Sequence, residues 1–172
     1  MSVSENGPVA SLPSLAEQVP LREAMAQFAT GITVLTANGE RCHGMTANAF
    51  SSVSLEPPLV LVCVAHTARM HAAITTAGCF GVSMLGAGQV DVARYFADKR
   101  RPNGPAQFDA VDWVAGPRTG APLLTGSLAW LECDLTDSYQ GGDHSIFIGR
   151  VLSSCRGSGD RALVFYGGAF HQ

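Results

Sequence analysis

Apolar residues recur along the chain with two periods, and the elements change where the period changes. Leu21, Met25 and Phe28 fall at i, i+4 and i+7, one face of a helix that opens on Pro20 and ends at Gly31. Ile32 to Ala37 reads as a strand, Asn38-Gly39 as a hairpin turn, and Cys42 to Phe50 as the returning strand. Pro57-Pro58 imposes an extended turn, and Leu59 to Ala65 is a near-continuous apolar run, predicted as a buried strand. Thr67 is expected to cap a helix that carries Met70, Ala73 and Ile74 and stops at Gly78. Phe80 to Leu85 is a further strand. Gln89 to Lys99 is a helix with Val90, Ala93, Phe96 and Ala97 on one face. Val111 to Val114, Leu128 to Ser138, Ser145 to Ser153 and Arg161 to Tyr166 are the remaining strands. Residues 99–110 form a basic, proline-broken loop, of a kind that tends to be functional or mobile, and 116–126 is turn-rich. Residues 1–18 show no sustained period and read as a flexible tail before one domain over 19–172.

Strands and helices do not alternate regularly. The pattern predicts a mainly β, antiparallel barrel with helices packed outside it, not a doubly wound sheet. Composition adds one point. The chain has 172 residues, enough for one domain, and is 47% hydrophobic but only 15% charged. The usual charged share is about 25%. Surface is therefore expected to be hidden, in an oligomer interface or against a large ligand. A net charge of −3 without a basic stripe argues against a nucleic-acid partner. No apolar run is long enough to span a membrane, and Met1 to Gln18 lacks the basic and apolar regions of a signal peptide. The cytoplasm is the expected location. Five cysteines (Cys42, Cys63, Cys79, Cys133, Cys155), without a CxxC pair, read as free thiols.

Two stretches carry candidate chemistry. From Gly44 to Pro58 the chain sets small residues and hydroxyls where a strand ordinarily has bulk. Gly44, Ala47, Ala49, Ser51 and Ser52 leave backbone open to a flat ligand, while Thr46, Asn48, Ser51, Ser52 and Ser54 add hydrogen-bonding groups. The plain alternative is a polar edge strand followed by a surface loop. The second stretch, Gly141-Gly142-Asp143-His144, is a turn that presents an acid and an imidazole at a strand mouth. Other motifs are weaker. Gly86-Ala87-Gly88-Gln89-Val90-Asp91 has an acid where a dinucleotide fingerprint needs its third glycine, and reads as a strand-to-helix turn. Cys63, His66 and His71 lack a second pair of suitably spaced ligands, so no metal site is expected. Lys99-Arg100-Arg101 either complements a helix dipole or binds phosphate.

Both stretches, in this order, resemble the short-chain flavin reductases, the reductase components of two-component flavin-dependent monooxygenases. The likeness runs from Met25 to Thr36, through Gly44 to Val64, Phe80 to Leu85, Phe96-Ala97 and Phe108-Asp109, to Gly142-Asp143-His144-Ser145-Ile146-Phe147-Ile148-Gly149. It implies an FMN-binding split β-barrel that works as a homodimer and transfers hydride from NADH or NADPH to FAD or FMN. Reduced flavin then supplies a separate monooxygenase or halogenase. On that resemblance Thr46, Ala47, Asn48 and Ala49 line the flavin ring, and Ser51 and Ser52 continue the wall. Cys63, Val64, His66 and Thr67 run beside the ribityl chain and phosphate. His66 stands where many members carry lysine, so Thr67 or Arg69 is expected to share the phosphate. Phe96, Arg100 and Phe108 belong to the segment at the far end of the flavin. Asp143 and His144 form the nicotinamide corner, with His144 as the positioning group and Tyr166 a further candidate. FAD and NADH are favoured over FMN and NADPH. The alternative is a non-catalytic flavin carrier or electron-transfer module on the same barrel, which has no need of a nicotinamide-facing histidine.

Overall fold

A computed structural model describes residues 18–172; apart from Gln18, the tail expected over 1–18 lies outside the described residues. Most of the chain builds one seven-stranded antiparallel sheet. Its strands are β2 (Thr33–Ala37), β3 (His43–Ala47), β4 (Phe50–Leu55), β5 (Pro58–Ala65), β6 (Cys79–Met84), β9 (Ala129–Gly141) and β10 (His144–Arg156), in the order β3-β2-β6-β9-β10-β5-β4. A three-stranded sheet is made of β1 (Thr30–Gly31), β11 (Val164–Tyr166) and β12 (Ala169–His171), with β11 in the middle. A pair, β7 (Trp113–Ala115) and β8 (Pro122–Leu124), stands beside them. The helices are α1 (Leu21–Met25), α2 (Arg69–Ala77) and α3 (Val90–Ala97).

The small-residue stretch, expected as one returning strand, is two strands at opposite edges of the large sheet. β3 pairs with β2, and β4 pairs with β5. Only Asn48 and Ala49 separate them. Seven strands laid flat would put the edges about 29 Å apart at ~4.8 Å spacing. The link from Ala47 to Phe50 spans at most about 11 Å. The sheet must therefore roll up. It does not close: β3 and β4 share no ladder, and between them the Ala49 carbonyl accepts from the Cys63 amide of β5 at 3.0 Å. The barrel expected from the sequence is thus a rolled, open antiparallel sheet.

The core has two parts, one on each face of β2, whose five residues are all buried. In the first, Leu35 meets Val60, Val62 and Val64 of β5, Phe80 of β6, and the buried face of α2, Met70, Ala73 and Ile74. In the second, Val34 meets Val90, Ala93 and Phe96 of α3, with Phe108, Leu124 and Leu163. The threonines of β2 can be buried because each hydroxyl has a carbonyl to donate to: Thr33 to Ala47 at 2.9 Å and Thr36 to Pro122 at 2.7 Å. Gly44 is required in β3. A Cβ there would lie 2.6 Å from the Phe96 ring, so any side chain would push α3 off the sheet.

Several elements differ from the sequence reading. α1 is five residues long, and Leu21, Met25 and Phe28 are exposed. Thr67 does not cap α2; Ala68 holds that position without a side-chain bond, while Gly78 ends the helix in the left-handed conformation as expected. The basic loop is docked, not free. Gln107 is fully buried, accepting from the Gly44 amide at 2.8 Å and donating to the Cys42 carbonyl at 3.2 Å. The turn-rich segment 116–126 contains β8, and β12 adds a strand after the last one expected.

Candidate active site

The large sheet and the small one do not pack flush. Between β4, β5 and β10 on one side and α1, β1 and β11 on the other lies an open cleft of about 1460 Å³. Strand alternation decides what faces it. Along β5, Val60, Val62 and Val64 point into the core, so Leu61 and Cys63 point into the cleft. Asn48, Ala49 and Ser51 line the rim where the chain crosses between the sheet edges. The opposite wall is apolar, with Met25, Phe28 and Phe165.

His144 enters the cleft from the start of β10, where it stands opposite Ala65 of β5. Gly142, with a φ of 69°, makes the turn before it. The turn is stapled to the end of β5 by the His66 amide, which donates to the Asp143 carbonyl at 3.0 Å. The Asp143 carboxylate lies 2.7 Å from His144 Nδ1, and that bond holds the Asp143 carboxyl below its ordinary pKa. An ionised carboxylate can only accept, so Nδ1 carries the proton and Nε2 is left free. The next residue turns the other way. Ser145 is fully buried, 2.9 Å from His71 Nε2. Burial, helped by nearby His66, lowers the pKa of His71. His71 is thus engaged behind the strand, and among the described residues no three His, Cys, Asp or Glu side chains gather as a metal site.

A second histidine cluster lies outside the cleft. His43 on β3 is buried, and its Nε2 is 3.0 Å from an Arg101 guanidinium nitrogen. Arg101 also donates to the Gly44 carbonyl. Burial, then Arg101 and Arg69, push His43 down to about 4.

The whole chain from Met25 onward, residues 25–172, matches the model of the flavin reductase like domain. The chain belongs to that family. It is 48% identical over 165 residues to an NADH-dependent FAD reductase of Streptomyces globisporus, covering 96% of this chain and 91% of that one. Among solved structures it is similar to BorF, the flavin reductase component of a bacterial two-component tryptophan halogenase. The TM-score is 0.85 at 52% identity, over 88% of this chain and 94% of that one. It is similar also to the Streptomyces globisporus NADH:FAD oxidoreductase SgcE6 in complex with NAD and FAD fragments. There the TM-score is 0.84 at 47% identity, over 95% and 96% of the two chains.

The fold brings some of the residues expected at a flavin reductase site together and disperses others. Asn48, Ala49, Ser51, Cys63 and His144 line the one cleft. Thr46 and Ala47 do not: the Thr46 hydroxyl donates to the Ala93 carbonyl at 2.7 Å and fastens α3, and Ala47 is buried. Ser52 is exposed on the edge strand β4. The side chains of Val64, Phe96 and Phe108 are buried in the core and none is in the cleft lining; the two phenylalanine rings sit 5.5 Å apart in the second core. His66, Thr67 and Arg69 are exposed at the junction of β5 and α2, outside the lining, with Arg69 bonded to Asn103. Arg100 is paired with Asp98 at 2.8 Å. Asp143 stands behind His144, and the Tyr166 hydroxyl is spent on Gln27 at 3.0 Å. The sequence reading missed Arg22, Met25, Phe28, Leu61 and Phe165 as lining residues. The period of Leu21, Met25 and Phe28 was a usable signal, but it reports an apolar face without saying what that face meets.

Proposed function

We propose that this protein is an NADH-dependent flavin reductase that passes reduced FAD or FMN to a separate monooxygenase or halogenase. The observation that carries the reading is the convergence of the Asn48–Ser51 rim, Cys63 and His144 on one apolar cleft. The cleft suits a flat three-ring system with a second ring stacked on it. Apolar side chains meet the ring faces, and the Asn48 amide and Ser51 hydroxyl meet a polar edge. Its relatives include NADH-dependent flavin reductases and reductase subunits of flavin-dependent monooxygenases.

The nicotinamide supplies the hydride and the flavin accepts it. The protein's part is to place the two rings and keep water away. Leu61 and Phe165, both half-buried, keep water from the ring faces. Asp143 fixes the tautomer of His144, so that Nε2 can hydrogen-bond a substrate polar group and set its angle. Groups at the Asn48–Ser51 rim stabilise negative charge at the ring edge, as donors do in an oxyanion hole. Ser52, His66, Thr67, Arg69 and Arg100 reach a ligand only where it extends beyond the cleft. Leu21, Met25 and Phe28 remain open to solvent at 76%, 54% and 66% exposure, and a second copy of the chain would cover them, making a cytoplasmic homodimer with its sites near the interface.

Purified protein given NADH and catalytic FAD under air should bleach the nicotinamide absorbance. No oxidation with either nicotinamide nucleotide and either flavin would refute the reading. His144→Ala should raise the KM for NADH about tenfold while leaving that for flavin within about twofold, the loss of one hydrogen bond. Equal KM values in variant and parent would remove His144 from the site.

A further inference from the structure

The cleft is nearly free of charge. Among its lining residues Arg22 is the one permanent cation, and none is a carboxylate. The groups the sequence offered for a phosphate lie elsewhere. His66, Thr67 and Arg69 are outside the lining, Arg100 is neutralised by Asp98, and Arg101 is tied to His43 and the Gly44 carbonyl. Yet every nucleotide of the proposed reaction carries phosphate. Arg22 stands on α1, exposed, among the apolar residues Leu21 and Met25 of the same wall. It forms no ion pair among the described residues.

We propose that Arg22 is the phosphate-recognition residue of this cleft, holding a phosphate of the flavin or of the nicotinamide nucleotide across the cleft from the Asn48–Ser51 rim. The assignment rests on the flavin reductase reading. Its physics is direct. A guanidinium is weakly hydrated and meets a phosphate through two parallel N–H donors. No carboxylate in the lining competes for it. A cation at the mouth of an otherwise neutral apolar cleft also orients an incoming nucleotide, charged end outward and ring inward.

The test separates phosphate from the rest of each ligand. Parent, Arg22→Ala and Arg22→Lys proteins are titrated without turnover, with FMN and riboflavin by flavin fluorescence, and with nicotinamide mononucleotide and nicotinamide riboside by calorimetry. In Arg22→Ala the affinity ratio of phosphorylated to phosphate-free ligand should fall about tenfold for one of the two pairs. Arg22→Lys should restore part of it. The pair that responds identifies the nucleotide held. Unchanged ratios in both pairs would overturn the assignment. So would equal weakening of both members of a pair, because Arg22 would then act as wall material alone. NADH oxidation by the parent is measured beside these titrations: its absence refutes the reductase reading, whereas the binding ratios judge Arg22 alone.

Discussion

The two walls of the cleft are built differently. The wall made by β4, β5 and β10 is the outer surface of a seven-stranded sheet, and its other face rests on a core of Val60, Val62, Val64, Phe80 and Phe147. The wall made by α1, β1 and β11 is thin. α1 buries no residue, and β1 has two residues, paired only with β11. A few bonds join the thin wall to the rest. Asn48 donates to the Thr30 hydroxyl at 3.3 Å, and the Leu85 and Leu163 amides bond the Ile32 and Leu85 carbonyls at 2.9 and 3.1 Å. Chemistry follows the same division. His144, held by its turn and by Asp143, belongs to the thick wall. The apolar cover and Arg22 belong to the thin one. Fixed geometry suits a group that must set an angle. A lightly held wall suits substrates that enter and leave.

The largest test of this contrast is in the thick wall. Phe80 is fully buried, and a Cβ on Gly149 would come within 2.5 Å of its ring. Phe80→Ala should therefore cost about 3–5 kcal/mol in chemical denaturation. Such truncation leaves a cavity that a sheet clamped between neighbouring strands cannot fill. If the loss were under ~1 kcal/mol, the thick wall would not be the rigid member of the pair.

The second test is acid. In the folded protein His43 titrates at about 4, against an ordinary value of 6.5. Between those values the unfolded chain takes up a proton that the folded protein refuses. Stability is thus fully present above about pH 6.5 and falls as the pH drops toward 4. The loss reaches about 3 kcal/mol at the lower end. The effect belongs to β3, where Arg101 faces His43 and Arg69 is close, so protonation would add a third positive charge. Denaturation at pH 7 and pH 5 should differ by about 2 kcal/mol from this group, and His43→Gln, which can still accept from Arg101, should flatten the difference. The same slope in both proteins would assign the acid sensitivity to other groups.

How much of this was legible in the sequence follows from what each residue type reports. β5 was readable because both its faces are apolar, the valines buried in the core and Leu59, Leu61 and Cys63 half-buried on the other side, which yields an unbroken apolar run. The His144 turn was readable because Gly142 supplies a conformation that other residues resist. The small-residue stretch was readable as unusual, but not as two strands. Residues without bulk carry no period to set a register, and the ladders that divide the stretch, β3 on β2 and β4 on β5, are backbone to backbone. Arg100 and Arg101 are chemically alike and adjacent, yet one pairs with Asp98 at the surface and the other is drawn into the β3 edge. That division depends on where the 99–110 loop docks, which a local pattern does not encode. Phe96 and Phe108 entered the site through the resemblance, which sets their segment at the far end of the flavin, and the fold turns both rings into the second core.

The smallest effect is at the thin wall's own fastening. The Tyr166 hydroxyl donates to Gln27 Oε1 at 3.0 Å, and next to it the Gly167 amide donates to the Ala26 carbonyl at 2.8 Å. Together they hold the segment after α1 against the β11–β12 turn. Both Tyr166 and Gln27 are exposed, so the side-chain bond competes with water and contributes only about 0.5 kcal/mol. Tyr166→Phe should therefore leave global unfolding almost unchanged. It should instead raise the hydrogen-exchange rate of the Gly167 amide about twofold, since local opening of the thin wall needs no disruption of either core. Exchange at Gly167 that stays at the parent rate would show that the two walls are held by the Asn48–Thr30 contact and the backbone pairs alone. Faster exchange that spread into β5 and β10 would be the more damaging result, because it would mean that the two walls open together.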